Sequence, residues 1–338
     1  MGNPWDYDFS AIGDRSAPLL LILGGDGDAG ARKGGPGFRV GGNSDIYQLI
    51  PSDVRFDQLN MSKQFLNAGG RPTPERYGCV LNLVTDPDQH PQTLERLRKL
   101  LRGYKGRLIN KPEAVLRTTR DQVARRLAGI EGLRVPKVIR LRNPKPGAAS
   151  AAVERSGQSF PLIVRHAGTH TGRIIGVVND QRALDAAAVG PGEFIIIEFV
   201  DFRSADGLYR KCRLWSFGGR TICRHLIVSD KWNVHVSERS RFMLGRPELI
   251  DEEKRLLERP EGAFPQAVHD TFDAVKRRMG LDFFGMDFAL DPDGKIILFE
   301  ANATMSFFPL VPNERFSYLE TIRAPAQEAV SRMLFPNP

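Results

Sequence analysis

The sequence predicts an α/β protein that opens with a small parallel sheet and continues with two further units of strands and helices. Three observations support this prediction. Strand-like and helix-like segments alternate as far as about residue 110, new units begin at Pro112 and after Asp206-Gly207, and a long hairpin follows at residues 283–302. Alternation of this kind is typical of βαβ units around a parallel sheet covered by helices.

The first unit contains short apolar runs of strand length and one helical pattern. Leu94, Leu97 and Leu101 recur at helical spacing and predict a helix over Gln92–Leu101. A helix start is predicted at Asp45–Leu49. The predicted strands are Leu19–Leu23, Val54–Leu59, Cys79–Val84 and Arg107–Ile109.

A glycine-rich stretch occupies residues 24–42 of this unit. Its spacing fits neither the dinucleotide fingerprint nor the P-loop, because Lys33 is followed by Gly34 and not by Ser or Thr. We interpret the stretch as a loop after the first strand. Two roles remain open for it, a cover over a substrate and a surface loop without a ligand.

The second unit combines buried strands with polar connections. We expect helices at Thr119–Leu127 and Gln181–Ala188, and a loop at Asn143–Ala151. A polar, glycine-bearing turn is expected at Arg165–Gly172. The predicted strands are Val135–Leu141, Phe160–Arg165, Ile174–Val178 and Phe194–Val200.

The third unit begins with a hairpin. Gly218-Gly219 forms a two-residue turn between strands Tyr209–Phe217 and Arg220–Val228. A polar stretch, Asp230–Arg246, carries Lys231, Trp232, Asn233 and His235. The remaining elements before the long hairpin are helices at Glu248–Leu257 and Phe264–Met279.

The long hairpin at residues 283–302 is the most informative segment of the chain. Asp291-Pro292-Asp293-Gly294 is a strong turn sequence between two apolar runs. If Leu290 pairs with Lys295, Asp287 lies opposite Leu298, and Asp287 and Glu300 are diagonal neighbours roughly 7–8 Å apart. Because side chains alternate, one face then carries Asp287, Leu298, Glu300 and Asn302, and the other carries Met286, Phe288, Ile297 and Phe299.

Two buried carboxylates side by side repel one another, so a positive charge is expected between them. Oxygen ligands favour a hard cation such as Mg²⁺, with Mn²⁺ as a substitute, held against a phosphate. Asp287, Glu300 and Asn302 are therefore the predicted metal ligands. The alternative is a surface hairpin with solvated acids, and Asn302 together with the apolar opposite face counts against it.

Composition limits the classes of function that remain. At 338 residues, with 41% hydrophobic and 26% charged residues, the chain resembles an ordinary globular protein, and it has no membrane-spanning run. Three widely spaced cysteines and no signal-peptide pattern predict a cytoplasmic protein with reduced thiols. The net charge of +8 is dispersed, so we expect a polyphosphate cleft and not a nucleic-acid surface.

Four segments in order resemble the ATP-grasp superfamily: FPLIVRHAGTHTG, IIIEFVD, YRKCRLWSFGGRTICRH and GMDFALDPDGKIILFEANA. The resemblance spans roughly residues 107–310 and is closest to carboxylate–amine ligases of the glutathione-synthetase and ribosomal-protein glutamate-ligase type. It implies a small parallel-sheet pre-ATP-grasp domain at residues 1–110, followed by a two-lobed ATP-grasp fold. The implied lobes are residues 111–205 and 206–338, clamping ATP between them.

The resemblance also implies roles for individual residues. Arg165 would contact phosphates in a position where Lys is usual, with the loop from His166 to Gly172 folded over them and His166 and His170 in it. Glu198, Phe199 and Val200 would form the hinge that holds adenine and ribose. Asp206 and Asp201 are weaker ribose candidates, and Arg120 and Arg117 are candidates for phosphate.

The basic strand after the hinge would supply the catalytic cations. Lys211 and Arg213 share a face by alternation, and Arg213 would contact the γ-phosphate and the acyl phosphate. Arg224 and His225 on the partner strand could face the same cleft. Asn302 would assist catalysis from the metal site.

The implied reaction joins a small-molecule or peptide carboxylate to an amine through an acyl phosphate, with release of ADP and phosphate. Two alternatives remain open. One is a phosphotransferase on the same fold without an amine acceptor, and the other is a non-catalytic nucleotide-binding or nucleic-acid-binding module. We expect no membrane partner, and a homodimer is left open.

Overall fold

The computed structural model describes residues 18–27, 40–63, 72–168, 174–258, 264–311 and 313–336. Its first sheet is fully parallel, with strand order β2-β1-β3-β4, as the βαβ rhythm predicts. Helix α1 (Pro91–Leu100) and the 3₁₀ turns Ile46–Leu49 and Pro74–Arg76 connect its strands. The strands are β1 (Leu19–Leu23), β2 (Phe56–Asn60), β3 (Cys79–Asn82) and β4 (Arg107–Ile109).

Two short helices and a two-residue strand lead from this sheet to the next. They are α2 (Pro112–Val115), α3 (Arg120–Leu127) and β5 (Leu133–Arg134). A central antiparallel sheet then has the order β6-β9-β7-β8. Its elements are β6 (Val138–Arg142), α4 (Ala148–Ser156), β7 (Leu162–His166), β8 (Gly176–Val178), α5 (Gln181–Ala187) and β9 (Glu193–Glu198).

The two faces of the central sheet have different neighbours. Leu162 and Val164 join Phe194 and Ile196 in a small core with α4 and α5. Because side chains alternate along a strand, the residues between them point to the other face. That face, which includes Ile163, lines a cavity.

The large sheet has the order β11-β10-β12-β13-β5, and only β5 runs parallel to its neighbour. The strand β5 comes from the predicted second unit, so that unit contributes to the sheet of the third. The strands are β10 (Tyr209–Phe217), β11 (Arg220–Ser229), β12 (Phe283–Leu290) and β13 (Ile296–Asn302). The helices are a π-helix (Arg239–Met243), α6 (Pro247–Glu258), α7 (Gln266–Met279), a 3₁₀ segment (Glu314–Ile322) and α8 (Arg323–Leu334).

Hydrogen bonds fix the first sheet to both ends of the long hairpin. Asn110, at φ 53°, accepts from the N–H of Asp282 at 2.7 Å and donates to the carbonyl of Phe283 at 2.9 Å. Asn is among the residues that tolerate a positive φ. At the other end, the Asp45 carboxylate accepts from the N–H groups of Phe307 at 2.9 Å and Phe308 at 3.0 Å.

The fold differs from the sequence prediction in helix α4 and in the C-terminal segment, and one further prediction falls on residues that the structure does not describe. Residues 148–151, predicted as loop, begin helix α4, because an alanine-rich stretch has high helix propensity even without an apolar stripe. The C-terminal helical segments after residue 313 were not predicted. Most of the glycine-rich stretch, residues 28–39, lies outside the described residues.

Cys79, Cys212 and Cys223 are buried free thiols. Within the part of the chain that the structure describes, no helix has the length and apolar character needed to cross a membrane.

Candidate active site

The register of the long hairpin differs from the prediction. Asp287 lies directly opposite Glu300, and Phe288 lies opposite Leu298, so Phe299 is an extra residue on β13. The turn is also longer than predicted, because the Asp291 carboxylate accepts from the N–H groups of Asp293 and Lys295, and Leu290 pairs with Ile296. The predicted pairing of Asp287 with Leu298 is therefore wrong, and the two carboxylates are closer than expected.

The extra residue also changes which apolar side chains face the cavity. Met286 and Phe288 are fully buried, as predicted for the apolar face. Ile297 and Phe299, predicted to share that face, instead line the cavity. The bulge at Phe299 shifts the alternation and so brings Ile297 to the cavity, while Leu298 lines the cavity as predicted.

Asp287 is held by two cations from strand β10. Arg213 donates from Nε and Nη2 to its two carboxylate oxygens at 2.5 and 2.9 Å, and Lys211 Nζ lies 3.4 Å away. Burial acts to raise the pKa of Asp287, but Arg213 and Lys211 outweigh it and hold the pKa below its usual value. Asp287 is therefore ionised, and the prediction that Lys211 and Arg213 share a face is confirmed.

Glu300 is held from the opposite side of the cavity. Arg120, the first residue of α3, lies 2.8 Å from its carboxylate and also donates to the carbonyl of Phe299 at 2.6 Å. Asn302 Nδ2 donates to Glu300 at 2.9 Å. The amide oxygen of Asn302 accepts the N–H groups of Thr304 and Met305, both at 2.9 Å, so this side chain fixes the turn that follows β13.

One cavity of about 200 Å³ lies between the central and large sheets and gathers most of the predicted site. We use the names charged end and apolar end for two groups of its lining residues, defined by their chemical character. The charged end is Arg120, Arg165, Lys211, Arg213, Asp287 and Glu300. The apolar end is Pro136, Ile163, Ile174, Ile197, Phe199, Val200, Phe202, Trp232, Leu298 and Phe299.

A smaller adjoining cavity shares Arg120, Arg165 and Glu300 with the first. Asn302 and Thr304 line it, and so do Asp86 and Asp88 of the first sheet's connection. His166 and Gly168 line it as well. His170 and Gly172, the rest of the predicted phosphate loop, lie outside the described residues.

Arg165 and Arg120 bring two guanidinium groups together. Burial, and next the charge of Arg120, lower the pKa of Arg165 to about 10. Glu300 and Asp88 act in the opposite direction but do not outweigh these two causes. An anion that binds between two guanidinium groups stabilises them, because it offsets their mutual repulsion. The planar guanidinium group also matches the geometry of phosphate oxygens.

The hinge residues line the apolar end, but the hinge acid has partners of its own. The Glu198 carboxylate accepts the N–H of Lys137 at 3.1 Å and lies 3.3 Å from Arg134. The Phe199 ring packs edge-on against Trp232 at 5.4 Å. Glu198 is thus compensated within the protein, so its presence in an apolar strand is not by itself evidence for a ligand.

The ribose candidates do not line the cavity. Asp206 forms two hydrogen bonds with Arg210, at 2.9 and 2.8 Å, which lower its pKa to about 2. Asp201 pairs in the same way with Arg203. Both are turn acids that bind an arginine two or four residues further on, and neither is among the residues that line the cavity.

Three further basic candidates also lie away from the cavity lining. Arg117 is exposed on the chain before α3. Arg224 is buried and donates to the carbonyls of Phe307 and Pro309, both at 2.7 Å. His225 is buried beside it, and burial, with Arg213 and Arg239 nearby, lowers its pKa.

One wall of the cavity comes from the polar stretch after β11, for which the sequence predicted no role for any single residue. Trp232, Asn233, Val234 and His235, from the polar stretch after β11, complete the lining. The sequence signal for this wall was an aromatic residue, an amide and a histidine directly after a buried strand.

The donor set fits a hard cation through its carboxylates. Among the described residues, no group of three or more His, Cys, Asp and Glu side chains could hold a metal ion. Asp287 and Glu300 face one another, and a carboxylate accepts several bonds, so an arginine partner does not prevent metal binding. Asn302 would reach a cation only by giving up one of the two N–H bonds to its oxygen.

No protein-family model and no curated protein matches the sequence. Solved structures match at low identity. The VanG D-Ala:D-Ser ligase from Enterococcus faecalis is 13% identical, with a TM-score of 0.52 over 94% of this chain and 98% of that one. A RimK domain ATP-grasp protein from Sphaerobacter thermophilus is 13% identical, with a TM-score of 0.50 over 94% and 99%.

A third solved structure contains nucleotide. The carboxyaminoimidazole ribonucleotide synthase from Aspergillus clavatus, complexed with ATP, is 13% identical, with a TM-score of 0.51 over 96% of this chain and 79% of that one. At such identities the likeness establishes the fold. The chain has the ATP-grasp fold that the sequence segments predicted.

Proposed function

We propose that this protein, which has the ATP-grasp fold, is an ATP-dependent carboxylate–amine ligase. It would work through an acyl phosphate and release ADP and phosphate. The observation that carries the proposal is the construction of the cavity. Its lining combines four cationic side chains and two opposed carboxylates with a larger set of apolar side chains and the hinge residues. A nucleotide has the same division between a flat base and a charged phosphate chain.

The adenine would bind at the apolar end. Ile163, Ile197 and Phe199 offer apolar surface to the base, and the backbone of Phe199 and Val200 offers hydrogen bonds to its edge. Binding there would direct the phosphates toward the charged end. Arg165 and Arg120 would then share phosphate oxygens, which removes the unfavourable proximity of their charges.

A Mg²⁺ ion bound with the nucleotide would be held by Asp287 and Glu300, with Asn302 as the third predicted ligand, and would neutralise phosphate charge. Mn²⁺ would satisfy the same ligands. In the structure Arg213 and Lys211 compensate Asp287, and Arg120 compensates Glu300. When phosphates attract these cations, the carboxylates need another positive partner, so nucleotide and metal binding should favour each other.

In the proposed reaction a substrate carboxylate attacks the γ-phosphorus, forming an acyl phosphate and ADP. Arg165, Lys211 and Arg213 would hold the phosphate oxygens and offset the charge that develops on them. An amine then attacks the acyl carbon, and phosphate leaves. The smaller adjoining cavity, which shares Arg120, Arg165 and Glu300, is the proposed position of the acid.

The substrates proposed are a small-molecule or peptide carboxylate and an amine. This class agrees with the structure named above whose name describes a D-Ala:D-Ser ligase. We also propose domain boundaries near residues 110 and 205 and a cytoplasmic location. Whether the protein forms a homodimer is left open.

ADP release tests the proposal directly. The protein would be incubated with Mg²⁺-ATP and pools of amino acids and small peptides, and the products analysed by mass. A product one water lighter than acid plus amine supports ligation. A stable phosphorylated product formed without amine would instead support a phosphotransferase, and binding of ATP without turnover in any pool would contradict catalysis.

A further inference from the structure

His235 is the one histidine of the described residues that lines the larger cavity. It belongs to the segment that leaves β11 at Ser229 and returns through the π-helix at Arg239–Met243. π-Helical turns occur frequently at functional sites. The segment therefore places an imidazole in the wall of the proposed nucleotide site.

Hydrogen bonds at both ends hold this segment in place. Ser229 donates from its hydroxyl to Glu238 at 2.6 Å, and the same hydroxyl accepts the N–H of Lys231 at 2.9 Å. The N–H of Glu238 donates to the carbonyl of His235 at 2.9 Å, and Arg241 binds the Glu238 carboxylate at 2.9 and 2.8 Å. The backbone of His235 is thus fixed, while its ring faces the cavity.

The charges that face His235 come from three elements. Lys211 and Arg213 lie on β10, Asp287 lies on β12, and Glu238 lies on its own segment. Burial, followed by Lys211 and Arg213, lowers the pKa of His235, while Asp287 and Glu238 act against this and do not outweigh it. The imidazole is therefore neutral near pH 7 and able to accept a proton.

The second step of the proposed ligation needs such an acceptor. An amine reaches the site mainly as an ammonium ion, and its nitrogen must lose protons as the C–N bond forms. Lys211 and Arg213 are paired with Asp287, and Asp287 is engaged by Arg213 at both oxygens. Glu300 is engaged by Arg120. His235 is the neutral base that remains at this wall of the cavity.

Resting on the ligase activity proposed above, we propose that His235 is the general base that takes a proton from the attacking amine. The amine nitrogen gives its electron pair to the acyl carbon, and the bond from that carbon to the phosphate oxygen breaks. Phosphate leaves with the electron pair of the broken C–O bond. The ammonium form loses two protons in all: His235 takes the first, which frees the attacking electron pair, passes it to solvent, and then takes the second as the amide forms. The products of the step are the amide and phosphate, and the imidazole is regenerated.

A different role would give a different result. If His235 only donated a hydrogen bond to a phosphate oxygen, its loss would slow acyl-phosphate formation as well as amide formation. Hydroxylamine separates the two cases, because it is largely unprotonated near pH 7 and captures acyl phosphates without help from a base.

The test uses the full chain, Mg²⁺-ATP and a pool of standard amino acids and dipeptides, with and without hydroxylamine. The His235→Asn variant should form hydroxamates at close to the wild-type rate. Its amide formation should fall by about 100-fold. His269→Asn, on α7 beside Phe264, is the matched control and should leave both products unchanged.

Two further readouts separate a base from a structural role. Wild-type amide formation should decline as the pH falls through the lowered pKa of His235, and hydroxamate formation should lack this decline. Added imidazole should restore amide formation to His235→Gly. An equal loss of hydroxamate and amide in His235→Asn, or no response to imidazole, would overturn the role of His235, whereas a wild-type protein that forms neither product would overturn the ligase proposal itself.

Discussion

The charged end of the cavity and the hinge beside its apolar end use acidic residues in opposite ways. At the charged end Asp287 and Glu300 face each other and are compensated by cations that also line the cavity. At the hinge the acids Glu198, Asp201 and Asp206 are each paired with an arginine. Of these three acids, Asp201 and Asp206 lie outside the cavity lining. An ion pair inside a cavity can be exchanged for a ligand, whereas a pair on a turn serves the local backbone.

The largest expected effect comes from removing either carboxylate of the charged end. Asp287→Asn and Glu300→Gln should each abolish ADP release, because the proposed metal ion would lose a carboxylate ligand. They should differ in stability, since Asp287 is 6% exposed and Glu300 is 24% exposed. Urea unfolding should show a loss of about 3 kcal/mol for Asp287→Asn and a smaller loss for Glu300→Gln. Retained turnover in both variants would refute the carboxylate assignment.

Acid should reproduce the stability difference without a mutation. The folded-state pKa of Asp287 is lowered, so its stabilising contribution is complete above the ordinary carboxyl value of about 3.9. The contribution is lost as the pH falls from there through the lowered folded value. The gap in unfolding free energy between wild type and Asp287→Asn should therefore narrow below about pH 4. A gap that stays constant with pH would mean that the ion pair with Arg213 is not its source.

Replacing Arg165 should separate stability from nucleotide binding. Arg165→Met removes a half-buried cation whose pKa is lowered by burial and by Arg120, so the unfolding free energy should change little. ATP affinity should fall by about tenfold or more, the loss of a charge-assisted hydrogen bond. Calorimetric titration with ATP measures the affinity, and thermal unfolding measures the stability. A variant that loses stability but binds ATP normally would show that Arg165 supports the fold alone.

The contrast between the two ends also marks what the sequence could predict. The bounds of β1, β4 and β10 follow from continuous or alternating apolar runs, and Lys211 and Arg213 share a face because β10 is regular. The bulge at Phe299 carries no glycine or proline to announce it, so the hairpin register was missed. The partners of Glu198 lie about 60 residues away in the chain, beyond any local pattern.

The smallest effect is expected at the hinge turn. Asp206 is 48% exposed and binds only Arg210 and a backbone N–H within the turn, so Asp206→Asn should cost less than about 1 kcal/mol of unfolding free energy. Its ADP release and KM for ATP should match wild type, in contrast to Glu300→Gln measured in parallel. If Asp206→Asn raised the KM for ATP several-fold, the turn would have to move toward the ribose during binding. The contrast between ion pairs that a ligand can replace and ion pairs that only support the hinge would then hold only for the nucleotide-free protein.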